Sequence, residues 1–339
     1  MSSCPICATP LTASVCSACG YDPSRDYKRF PTYAPIPATK TEFLHCIRCG
    51  GIQFGLRSGD ERPVCLSCGL PRPAVEMPPV ALAAHHSVFL RPDGSAAAVG
   101  SEDHGRCNVS GWSDMKSLAA SYLHTVGLRT DGTAVATGYN RYSQCHVNSW
   151  SDLLTVAAGD LHTVGLRANG TVLAVGDNSV GQCNILDWTG ITAIAAHGFH
   201  TVGLRQNGTV CAVGWNEHTQ CSVEDWSDIR SIDAGSRHTL GLRADGTVAA
   251  AGDASHGSTQ VQDWTDIAAI AAGDFHSVGL RRDGTVLATG SNSNSQCNVS
   301  DWSGIVAIAA GGFTTLGLKL DGTLVCTDKT LEAALRDLR

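Results

Sequence analysis

Six tryptophans stand at one fixed interval. Trp112, Trp150, Trp188, Trp226, Trp264 and Trp302 are each 38 residues apart. The same interval separates seven Asp-Gly or Asn-Gly pairs, from Asp93-Gly94 to Asp321-Gly322, and six histidines, from His86 to His276, with Thr314 in the seventh place. The array is therefore seven copies, with no insertion or deletion between these markers. Each copy of such an array is one supersecondary unit that cannot bury its own faces and must stack on its neighbours.

Within a copy, runs such as ITAIAA, HTVGLR and TVLAVG read as strands. The Asn-Gly or Asp-Gly pair between the last two is a two-residue hairpin signal. A polar loop such as DNSVGQ follows, and then a brief edge strand, CNI. Three or four short antiparallel strands per copy predict an all-β fold, and radial closure is the natural way to hide every open edge. The pattern W-S-D-I-x-x-I-A-A-G-x-x-H-T-V-G-L-R-x-D-G-T-V-x-A-x-G-x-N-x-x-x-Q-C closely resembles the regulator of chromosome condensation repeat family. The resemblance implies a seven-bladed β-propeller. Copy seven lacks its edge strand, and Gly69 to Pro73 sit one period before Cys107 to Gly111, so the N-terminal side is expected to complete the last blade. The resemblance also implies guanine-nucleotide exchange on a small GTPase as an alternative function. In that family exchange depends on a wedge-like insertion, for which the unbroken interval leaves no place.

The columns that stay fixed read as scaffold. The histidines are expected to bond backbone and order turns rather than form a metal-binding ring. Cys107, Cys145, Cys183, Cys221 and Cys297 lie a whole copy apart, too far to ligate one ion, and the tryptophans read as packing between blades. The loops that vary between copies are the candidate contact surface. They carry Tyr122, Tyr139, Arg141, Tyr142, Phe199, Trp215, Glu217, His218, Arg237, His256, Phe275 and Phe313. Propeller geometry brings equivalent loops to one face, and aromatic residues with arginine are what interface hot spots favour. This predicts capture of a partner protein. No nucleophile, base and orienting group stand apart from the repeat, so no enzyme is expected.

Ahead of the array, Cys4, Cys7, Cys16, Cys19, Cys46, Cys49, Cys65 and Cys68 form four CxxC pairs. Thiolates from two such turns build a closed tetrahedral site, so two structural zinc ions are expected, in tandem zinc ribbons that pair sequentially or interleave. Iron in a rubredoxin-like site is the rival metal. The predicted organisation is ribbon 1 over 1–22, a Pro-rich linker over 23–42, ribbon 2 over 43–68, the propeller over 69–328 and a short amphipathic helix over 329–339. Residues 1–77 carry 8 Lys or Arg and 6 Asp or Glu, and residues 78–339 carry 16 and 25, a net −9. An acidic propeller is poorly suited to follow phosphates, which leaves only weak nucleic-acid binding through the ribbons as a further alternative. With no apolar run long enough to span a bilayer and no leader-like start, a cytoplasmic protein away from membranes is expected.

Overall fold

Each copy folds into a three-stranded antiparallel sheet. In the third, an inner strand Leu153–Ala158 pairs with a middle strand His162–Arg167, which pairs with an outer strand Val172–Gly176. Val156 stands opposite Gly165, and Gly165 opposite Leu173. Seven such sheets follow one another over 80–326. The computed structural model describes residues 34–35, 54–56, 63–65 and 79–337, and the chain divides into two units, Met1–Ala74 and Val75–Arg339. In the first unit Ala34–Pro35, Phe54–Leu56 and Pro63–Cys65 form one small antiparallel sheet. Gly69 to Pro73 lie outside the described residues.

Inner strands from all seven blades line one axial cavity of about 240 Å³. The ring is closed: the last inner strand, Ile305–Gly311, lies against the first, Val80–Leu82. At this junction only glycine fits. A Cβ on Gly311 would collide with the carbonyl of Leu82, and one on Gly312, whose φ is +52°, would come 2.5 Å from Ala84 Cα.

Packing between blades explains the tryptophan interval. The middle strand is buried along most of its length because a neighbouring blade covers each face. Its central glycine faces the indole of the preceding tryptophan, and a Cβ on Gly165 would stand 2.8 Å from the Trp150 ring. The pairing recurs from Gly127 with Trp112 to Gly317 with Trp302. Blade 1 has no tryptophan one period earlier, and there Phe89, 3% exposed, replaces the glycine. Trp150 sits in one apolar cluster with Leu128 of blade 2 and Leu153 of blade 3.

The repeated histidines join blades through side chains, not through the backbone contacts expected of them. His162 Nε2 lies 2.8 Å from Thr201 Oγ1 of the next blade, and the pattern recurs from His86 with Thr125 to His276 with Thr315. Each hydroxyl donates its one proton to a backbone carbonyl, as Thr201 does to Gln182 at 2.8 Å. It must then accept from His Nε2–H, which leaves Nδ1 as an acceptor without a protein partner. Six such bonds link seven blades in series. Burial pushes His124, His162, His200 and His238 down to about 3, and His86 and His276 to about 4, so all six are neutral.

Two local expectations are corrected. CNI forms no strand: Ile185 N–H bonds to the Cys183 carbonyl and Trp188 N–H to the Ile185 carbonyl, a run of tight turns that tucks Ile185 into the core. The hairpin loop has three residues, not two. Gly170 N–H reaches the Arg167 carbonyl while Arg167 N–H takes the Thr171 carbonyl, and Gly170 adopts φ +81°, as a type I turn with a following bulge requires. The chain ends in a helix, Lys329–Asp337. Asp328 caps it by accepting the N–H groups of Thr330 and Leu331, and Leu331 and Leu335 are buried where it meets the last strand. No helix among the described residues is long and apolar enough to cross a membrane.

Candidate functional site

The link from inner to middle strand and the loop after the outer strand leave every blade at the same end, opposite the hairpin turns. At this end the loops enclose a cup of about 440 Å³ around the mouth of the channel. Tyr122, Phe199, Trp215, Phe275 and Phe313 furnish its rings, and Arg237 its cation. The Arg237 guanidinium stands 5.6 Å from the Trp215 ring centre and 5.8 Å from that of Phe275. Its ion pair with Asp253 is loose, at 3.7 Å. Phe275 stacks on Phe313 with centroids 6.5 Å apart.

A polar cluster lies at the base of the cup, where the inner strands end. His197, which lines the channel, bonds through Nε2 to Asp274, which lines the cup, at 2.7 Å. Burial alone would lower the His197 imidazole, but the hydrogen bond and charge of Asp274, with Asp160 and Asp233 nearby, raise it to about 9. His197 is therefore held as a cation and cannot serve as a general base at neutral pH. Asp233 accepts the N–H groups of Ala234 and Ala272, yet burial raises its carboxyl to about 6. Asp160 takes the Ser121 hydroxyl at 2.8 Å. Burial raises its carboxyl, against the opposing pull of His197 and of the Ser121 bond.

Elsewhere the repeated cysteines are not reactive groups. Cys183 donates to the Asp177 carbonyl, and burial raises Cys145, Cys183 and Cys297 to about 11 and Cys221 to about 12.

The profile of the regulator of chromosome condensation (RCC1) repeat matches residues 115–144, 155–182, 229–258 and 267–296, which fall in blades 2, 3, 5 and 6. Four of this chain's seven blades are RCC1 repeats. No curated protein sequence matches the chain. Among solved structures, Prp20p from Saccharomyces cerevisiae is 17% identical at a TM-score of 0.59, covering 76% of this chain and 84% of its own. The CRINKLY WD40 ectodomain of the Arabidopsis thaliana receptor kinase ACR4 is 20% identical at 0.58, covering 73% and 95%. The ectodomain of the Physcomitrella patens receptor kinase CR4 is 22% identical at 0.58, covering 73% and 71%. At these identities the likeness establishes the fold, a seven-bladed propeller.

The RCC1-repeat propeller gathers some of the residues singled out by sequence and separates others. Tyr122, Phe199, Trp215, Arg237, Phe275 and Phe313 line the cup. His218 packs on Trp215 at 4.9 Å and His256 on Phe275 at 5.5 Å, extending its rim. Tyr139 and Tyr142 pair with each other at 6.3 Å outside the cup, and Tyr139 also meets His104. Arg141 and Glu217 are exposed on the same face without lining it. The eight head cysteines lie outside the described residues, save the backbone of Cys65.

Sequence reasoning about variable loops did not single out His197 and Asp233 at the base of the cup. The signal lay in columns of small residues interrupted by one large polar side chain. His197 stands where blades 3, 5, 6 and 7 have Gly159, Gly235, Gly273 and Gly311, and Asp233 interrupts a column otherwise occupied by alanine.

Proposed function

We propose that the propeller is a non-enzymatic protein-binding module that captures a partner protein on the cup face, with the head as a second contact or spacer. The observation that carries this reading is the cup itself: loops of blades 2 to 7 converge to present five rings and an arginine around one concavity. Rigid aromatic groups and arginine supply most of the binding energy in protein interfaces at little entropic cost. The solved structure of Prp20p is described together with its binding to Gsp1p and histones, and yeast RCC1 (Prp20) has been seen bound to Kap60. These partners are those proteins' own, and they support a protein-binding reading of the propeller.

The test is affinity capture from the source lysate with the whole chain and with a variant in which Tyr122, Phe199, Trp215 and Phe275 are all alanine. None of these side chains belongs to a packed cluster between blades among the described residues, so the variant should keep its thermal transition. Loss of a captured protein by the folded variant is the expected result. Recovery of the same proteins by both would remove the cup from the interface and leave the head as the contact.

For the head, we propose two zinc ions held by the four CxxC pairs. Four thiolates per site leave no open position for water, so the ions would stabilise a segment too small for its own core. Metal analysis should return two zinc per chain, and Cys46→Ser with Cys49→Ser should lower this to one; iron in place of zinc, or no metal, would overturn the assignment. Zinc-bound and unpaired thiols fit the cytosol, where they stay reduced.

A further inference from the structure

The three carboxylates at the channel mouth differ in their partners within the chain. Asp274 has the His197 imidazole, and Asp233 has two backbone N–H groups. Asp160 has the Ser121 hydroxyl and the Tyr122 N–H, with the His197 charge at longer range and, among the described residues, no salt bridge of its own. It lines the cup together with Tyr122, Phe199 and Phe313. A carboxylate drawn partly out of water is costly until a counter-charge bonds it directly.

The walls already accept a cation. Arg237 lies over the faces of Trp215 and Phe275, where the ring quadrupole is negative. The surrounding field has the same sense, since residues 78–339 carry a net −9. That field steers basic partners toward the propeller and repels acidic ones.

We infer that the cup receives an arginine or lysine side chain projecting from a basic segment of the partner protein. Asp160 is its counter-charge, and the rings of Tyr122, Phe199 and Phe313 pack against its apolar stem. This rests on the protein-binding reading above and specifies the chemistry of the partner.

The probe is the pentapeptide Gly-Ser-Arg-Ser-Gly, blocked at both ends, with Gly-Ser-Glu-Ser-Gly as its acidic counterpart. Both are titrated into the full chain while the Trp215 indole N–H is followed by NMR and assigned with Trp215→Phe. The arginine peptide should shift that signal saturably, and Asp160→Asn, which keeps an oxygen for Ser121, should weaken binding by about tenfold. The glutamate peptide should leave the signal in place.

Three results would overturn the inference: no saturable shift with the arginine peptide, arginine binding unchanged by Asp160→Asn, or glutamate binding that Arg237→Gln abolishes. The last would make the partner acidic. Partner capture run in parallel separates the two readings. A protein retained by Asp160→Asn but lost by the aromatic variant would sink the cationic side chain and leave the protein-binding face standing.

Discussion

Between pH 7 and pH 5 the propeller is expected to lose on the order of 10 kcal/mol of stability, because six buried histidines cannot take up protons in the folded state. Their folded values lie near 3 to 4, while an unfolded histidine titrates near 6.5. A base whose folded value is depressed destabilises the fold as pH falls below the unfolded value. The loss begins near pH 6.5 and grows until the folded values are reached. Each histidine contributes about 2 kcal/mol over this interval.

Two groups oppose the trend. Asp233, raised to about 6, and His197, raised to about 9, bind protons more readily folded than unfolded. Together they return about 2 kcal/mol. Since whole domains are stable by only about 5 to 15 kcal/mol, the propeller should unfold near pH 5. Guanidinium midpoints measured from pH 8 to pH 5 check this, and a midpoint unchanged between pH 7 and pH 5 would refute it.

The second large effect is expected from Asp274→Ala. This change leaves the His197 imidazole buried beside Asp160 and Asp233 without the carboxylate that bonds it at 2.7 Å. Breaking a buried pair on one side costs about 3–5 kcal/mol. The linkage has the opposite sign to that of the repeated histidines. His197 is raised above its unfolded value, so its contribution is fully present below pH 6.5 and is lost as pH rises through about 9.

In Asp274→Ala the burial of His197 prevails and its value should fall below 6.5, which NMR titration of the ring would show. Replacing both residues by what other blades carry in those columns, His197→Gly with Asp274→Ser, should recover most of the lost stability. The single variant remaining as stable as the parent, with His197 still charged at pH 7, would show that the pair does not hold this part of the channel.

Much of the fold was legible in the chain because its contacts recur with its period. The tryptophan and the central glycine of the following middle strand are 15 residues apart in every copy from Trp112-Gly127 to Trp302-Gly317, and the one departure, Phe89, occurs where no tryptophan precedes. Asp114, Asp152, Asp228 and Asp266 share with Gly190 and Gly304 a column of positive φ before the inner strand, a place for residues that tolerate the left-handed region. The function of the histidine column was less legible. Its partner is a hydroxyl 39 residues on, and nothing local marks Thr201 as an acceptor rather than as a β-branched strand residue. CNI misled because its apolar residue is buried by a turn, not by a ladder.

The sequence by itself determined the number of blades, the order of strands within each and the packing between neighbours, since each of these contacts spans about one period and is written again in every copy. Only the tertiary structure decided what meets at the channel mouth. His197 and Asp274 are 77 residues apart, and Tyr122 shares a cup with Phe313 from the far end of the array. When the ring closes, the inner strands of all seven blades converge on one axis, so separation along the chain ceases to measure distance in space.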